Sequence, residues 1–120
     1  MNTMTTNACK EMSQIAVLNG MTAIRANVIA QRTDSTLCGM TKAMMIELLK
    51  SKLREGIAMW EYVKKDGSIR RAYGTTKKEL VAEHINGRGE SRENYACCAY
   101  WDAEKGAWRS FRWETILRVY

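Results

Sequence analysis

Apolar positions from Asn7 to Leu18 (Ala8, Met12, Ile15, Val17 and Leu18) recur near helical spacing, and Asn19-Gly20 then interrupts them as a helix stop would. A second short helix is predicted from a Thr22 cap to about Gln31, with Ile24, Val28 and Ile29 on one side. Arg32 to Gly39 is polar and reads as a loop. Thr41 is then the expected cap of the strongest helix, Lys42 to Arg54, whose apolar stripe is Met45, Leu48, Leu49 and Lys52/Leu53 and whose stop is Gly56. Met40, Met44 and Met45 fit core filling better than an adaptable binding groove.

Beyond Gly56 the period changes from helical to alternating. Ile57–Lys64 and Ser68–Gly74 are β-rich runs joined by Lys65-Asp66-Gly67, a hairpin signal. Two registers are open. A two-residue Asp66-Gly67 turn sets Tyr62 opposite Arg71, whereas a three-residue loop with Gly67 in a bulge sets it opposite Arg70. A one-residue slip exchanges the faces, so the turn decides which arginine points inward. Thr75 to Ile85 reads as a short helix and Asn86 to Asn94 as a Gly- and charge-rich loop. Tyr95–Trp101 and Ala107–Arg112 are further strands around a tight turn at Ala103–Gly106. One 3₁₀ turn over Trp113–Ile116 and a short last strand, Leu117–Tyr120, complete the chain.

This order predicts an α+β fold: N-terminal helices followed by a small five-stranded antiparallel SH3-like β-barrel. Residues 1–40 form the helical segment, and 41–120 hold one helix plus the barrel. A length of 120 residues suits one small unit.

The net charge of +6 favours encounter with polyanions. It is spread evenly: residues 1–59 carry 7 Lys+Arg against 4 Asp+Glu, and residues 60–120 carry 12 against 9, so each half is +3. Four cysteines, Cys9, Cys38, Cys97 and Cys98, form no CxxC and lack the spacing of a zinc site. With no signal-like or long apolar run, the reducing cytoplasm is the expected location, a host cytoplasm if the gene is a phage's, and no membrane association is expected.

No constellation of residues suggests catalysis, and no cofactor or metal is expected. His84, the single histidine, stands in a polar stretch as a surface residue. Gly87-Arg88-Gly89 is too short for a phosphate loop. Glu61, Glu90, Glu93, Asp102, Glu104 and Glu114 are scattered among lysines and arginines, which suits solvated loops and strand ends.

What stands out is a basic-aromatic interleaving. Lys64, Lys65, Arg70 and Arg71 flank the hairpin turn, and Trp108, Arg109 and Arg112 lie on the later strand. Small β-barrels bind single strands by stacking bases on aromatics beside positive side chains. In a strand Arg109, Phe111 and Trp113 share one face and Trp108, Ser110 and Arg112 the other. Phe111 is therefore expected in the core, with Trp108 and Arg112 towards solvent.

The run Trp60-Glu61-Tyr62-Val63-Lys64-Lys65-Asp66-Gly67-Ser68-Ile69-Arg70, then Gly74-Thr75, resembles small SH3-type β-barrel proteins of Bacteroides-group bacteria and their phages. Tyr100-Trp101-Asp102, Lys105–Arg112 and Ile116 strengthen the likeness, which covers about residues 41–120. The later strand is also similar to the end of WYL domains, where an aromatic strand precedes Arg-x-Phe-Arg, here Arg109-Ser110-Phe111-Arg112. Cys98-Ala99-Tyr100-Trp101 departs from that family's Trp-Tyr-Leu order. The resemblance implies ligand or nucleic-acid sensing and transfers to Arg109 and Arg112 alone. The expected function is a non-enzymatic nucleic-acid- or nucleotide-binding accessory or regulatory protein; the alternative is a protein-interaction or structural module, either a homo-oligomer or a binder of a phage or host protein.

Overall fold

The computed structural model describes residues 20–85 and 91–120. The helix expected over Asn7–Leu18, Cys9 and the Gly87-Arg88-Gly89 run lie outside the described residues.

Two helices open the fold, α1 (Gly20–Thr33) and α2 (Thr36–Glu55). The stretch expected as a loop is only Asp34-Ser35, with Asp34 in the left-handed region at φ 55°. Ser35, not Thr41, caps α2: its hydroxyl accepts the Cys38 amide at 3.1 Å. Gly39 is a packing residue here. A Cβ on it would overlap the Ala26 carbonyl and stand 2.9 Å from the Ala30 nitrogen, so a side chain would force α1 and α2 apart.

The buried face of α2 runs Gly39, Ala43, Ile46, Leu49 and Leu53, a 3.6-residue period. Leu49 and Leu53 match the expected stripe. Leu48, at 51% exposure, does not, and Ile46 takes the inner position instead. Met45 packs against the core while Met44 is exposed. On α1 the buried residues are Thr22, Arg25 and Ile29, whereas Ile24 faces out. Polar residues hold the inner positions because they have partners there. The Arg25 guanidinium, almost fully buried, meets Glu93 at 3.1 Å and Glu47 at 3.5 Å and lies over the Trp113 ring; Thr22 donates to Glu47 at 3.0 Å. Lys50 reaches the same Glu93 at 2.6 Å. A buried guanidinium is tolerable only with such pairing.

Five antiparallel strands follow: β1 (Ala58–Val63), β2 (Ile69–Thr75), β3 (Cys97–Asp102), β4 (Ala107–Arg112) and β5 (Ile116–Val119). Their order in the sheet is β4-β3-β2-β1-β5. Among the described residues, the two later N-terminal helices and the expected five-stranded antiparallel sheet are present. Barrel closure would need a ladder between β4 and β5, and the ladders of the described residues do not include one.

The hairpin adopts the three-residue loop. Tyr62 pairs with Arg70 and Trp60 with Ala72, the Lys64 amide donates to Ser68, and Gly67 sits at φ 88°, which a side chain would strain. The helix expected over Thr75–Ile85 shrinks to one turn, α3 (Lys78–Val81), and a 3₁₀ turn at Ala82–His84, because Thr75 remains in β2. Tyr95 belongs to a 3₁₀ turn (Arg92–Tyr95) rather than to β3.

Inward positions of β1 and β3 alternate strictly with half-exposed ones. Ile46, Leu49 and Leu53 of α2 pack with Trp60, Tyr62, Cys98, Tyr100, Phe111, Trp113 and Ile116 in one core. Trp60 meets Tyr100 edge-on at 4.6 Å, Tyr62 stacks on Phe111 at 4.9 Å, and the Tyr62 and Tyr100 hydroxyls share a hydrogen bond of 2.8 Å. Burying each such ring contributes about 1.5–3 kcal/mol. Among the described residues no helix is long and apolar enough to cross a membrane.

Candidate functional site

The register of the hairpin decides where its cations go. Arg70 shares the inward face with Tyr62, and Arg71 shares the outer face with Glu61. Arg71 lies 3.7 Å from Glu61, donates to the Tyr120 hydroxyl at 3.1 Å and sits over that ring. It is thereby separated from the other candidates.

Those others converge. An open groove of about 1000 Å³ lies between the β1–β2 hairpin and β4 and is lined by Lys64, Lys65, Arg70, Trp108, Arg109 and Arg112. Six of the seven candidate residues thus meet in one place. Arg32, at the end of α1, adds a sixth cation, and among the described residues Glu114 is the one acid in the lining. Consecutive residues of β4, from Trp108 to Arg112, all line it. Both faces of a strand can border one groove only if the groove meets the strand's edge.

Phe111 is buried at the floor, as its alternation implies, and Trp108 is 42% exposed. The Trp108 indole N–H donates to the His84 carbonyl at 2.7 Å, and its ring meets Trp101 edge-on at 5.6 Å. His84 is half-buried rather than free on the surface, because its ring stacks flat on Trp101 at 3.9 Å. These contacts hold Trp108 in place before any ligand arrives. Tyr95, also exposed, contributes another ring to the lining.

Asp102 departs from the expectation of a solvated acid. It is 4% exposed and lies 2.8 Å from Arg109 and 3.8 Å from Arg70. Its carboxylate also accepts the Glu104 and Lys105 amides at 2.9 and 3.0 Å, closing the β3–β4 turn. Burial pushes this carboxyl up, but the two amides and Arg109 together outweigh it and hold the group below the ordinary aspartate value. Glu114 takes Arg32 at 2.8 Å and Arg112 at 2.7 Å. Lys65 makes no ion pair among the described residues, and Lys64 only a long one of 4.0 Å to Asp66. Cys98 is fully buried and its thiol is pushed up to about 11 by burial, so it behaves as a small core residue.

Sequence patterning did not single out Arg32, Tyr95 or Glu114. Arg32 and Tyr95 sit in segments far from the hairpin in sequence, and only packing brings them to it. The Arg112-x-Glu114 spacing was a local signal for that ion pair.

Residues 46–117 match the family model WYL_2, described as an Sm-like SH3 beta-barrel fold. The match spans both the hairpin and β4. The chain is also similar to an uncharacterised 11.5 kDa protein of the Gp31-cd intergenic region of Enterobacteria phage T4, being 30% identical over 81 residues, which are 65% of this chain and 79% of that protein. No solved structure matches. With more than half of its length accounted for by that model, the chain belongs to the WYL_2 family of Sm-like SH3 β-barrel proteins.

Proposed function

We propose that this protein is a non-enzymatic nucleic-acid- or nucleotide-binding accessory protein whose binding surface is the groove between the hairpin and β4. The observation that carries the reading is the lining itself: among the described residues, six Lys and Arg side chains against one carboxylate, with an anchored, part-exposed tryptophan among them. Cations supply the phosphate attraction and an immobilised ring offers a stacking platform, together the usual means of holding a single strand. The reading includes closure of the sheet as an SH3-type barrel. It also includes a bacterial or phage source, a Bacteroides-group one on the hairpin resemblance, and hence a cytoplasm of cell or host. The likeness to a phage T4 protein supports that setting.

Fluorescence anisotropy with short single-stranded DNA, RNA and duplex at low salt tests it. Single-strand binding that weakens about tenfold on Arg109→Ala/Arg112→Ala, the loss expected for two phosphate contacts, is the predicted result. Binding indifferent to both changes would refute it.

A second reading, a self-associating interaction module, is supported by Leu37, Met44 and Leu48. These three exposed apolar residues share one face of α2.

A further inference from the structure

Two pairs of arginines line the groove, and one carboxylate holds each pair. Arg70 and Arg109 meet Asp102, which is buried and also ties down the β3–β4 turn. That carboxylate is part of the fold. Arg32 and Arg112 meet Glu114, whose carboxylate stands in the groove lining. Arg32 takes one of its oxygens and Arg112 the other. Among the described residues that carboxylate accepts from nothing else. The Glu114 main chain is fixed separately, because Lys42 donates to its carbonyl at 2.7 Å. The side chain can therefore leave without dragging the backbone along.

Two guanidiniums approaching the two oxygens of one anion is also how a phosphate is held. Both arginines are within reach of a ligand, their side chains being 29% and 56% exposed. They come from α1 and from β4, elements that only the tertiary fold brings together.

We propose that Arg32 and Arg112 form a phosphate subsite at the helix-facing end of the groove, occupied in the free protein by the Glu114 carboxylate and yielded to a backbone phosphate of a bound single strand. This rests on the nucleic-acid reading of the groove and sharpens it. Exchanging one anion for another at the same two guanidiniums is nearly balanced, so a lone phosphate gains little by entering. A strand that also engages Arg70, Arg109 and Trp108 can displace Glu114, whereas a mononucleotide cannot. Glu114 thus selects for polyanions, and the helical segment before residue 40 becomes part of the binding surface.

Anisotropy of a labelled single-stranded oligonucleotide and of a fluorescent mononucleotide, each against wild type and Glu114→Gln, tests this. Glu114→Gln is expected to bind the strand about fivefold more tightly. Its plot of log K against log salt should keep the wild-type slope, since the same phosphate is neutralised in both complexes, whereas losing that phosphate contact would flatten it by about 0.7. Mononucleotide binding should become measurable. Arg32→Ala alone should weaken strand binding and flatten the salt slope by the same increment, an effect that a purely structural ion pair would not produce. If wild type binds the strand while both variants keep its affinity and slope, the subsite is wrong and the groove reading stands. If wild type and variants all fail to bind any strand, the groove reading falls and the subsite with it.

Discussion

Asp102 receives Arg109, Arg70 and two turn amides, and its removal affects both the fold and the groove. Asp102→Asn keeps an acceptor for the turn but leaves Arg109 without its counter-charge. Since both arginines are partly exposed, water recovers part of the loss, and the expected cost is about 1–3 kcal/mol in urea unfolding. The folded carboxyl titrates below its ordinary value of 3.8, so the unfolded chain binds the proton more tightly. The stabilisation is therefore complete above about pH 4 and is lost as pH falls through the depressed native value. Urea melts from about pH 6 down to pH 3 should show this acid slope in wild type and a shallower one in Asp102→Asn.

At the scale of elements, the hairpin shows how one turn assigns function. The bulge at Gly67 pairs Tyr62 with Arg70, which sends Arg70 into the groove and Arg71 to Glu61 and Tyr120. Arg70→Ala should weaken single-strand binding about threefold to tenfold, whereas Arg71→Ala should leave it unchanged. Equal losses from the two, measured at one salt concentration, would contradict the register. The α1–α2 connection carries a similar lesson. Polar residues and a glycine over Arg32–Gly39 read as a loop because glycine is a poor helix former, yet Gly39 lies inside α2 where α1 crosses it too closely for a Cβ. No local pattern distinguishes a glycine that ends a helix from one that admits a neighbour.

For the molecule as a whole, α2 works on two sides. Ile46, Leu49 and Leu53 seal the sheet, while Leu37, Met44 and Leu48 face outward. If the outer face is a seam between two copies, light scattering should report a dimer at about 100 μM and monomer on dilution, as expected of a small apolar contact. Met44→Glu/Leu48→Glu should abolish the dimer. A strict monomer at all concentrations would remove that reading and leave the groove as the molecule's working surface.

The sequence by itself determined the change to alternation after Gly56, the strand Ala107–Arg112, the stop at Gly56 and the burial of Phe111. These follow from local periodicity and turn chemistry, which nearest neighbours dictate. It also named six of the groove's lining residues, because basic and aromatic side chains cluster there along the chain. Tertiary structure alone decided the rest. Arg25 could be buried only once Glu93 and Glu47 came to meet it, Asp102 became an interior acid only beside Arg109, and Arg32 joined the groove only because α1 packs against the turn that carries Glu114. A charge takes its role from the partner it meets in space, and that partner is seldom its neighbour in sequence.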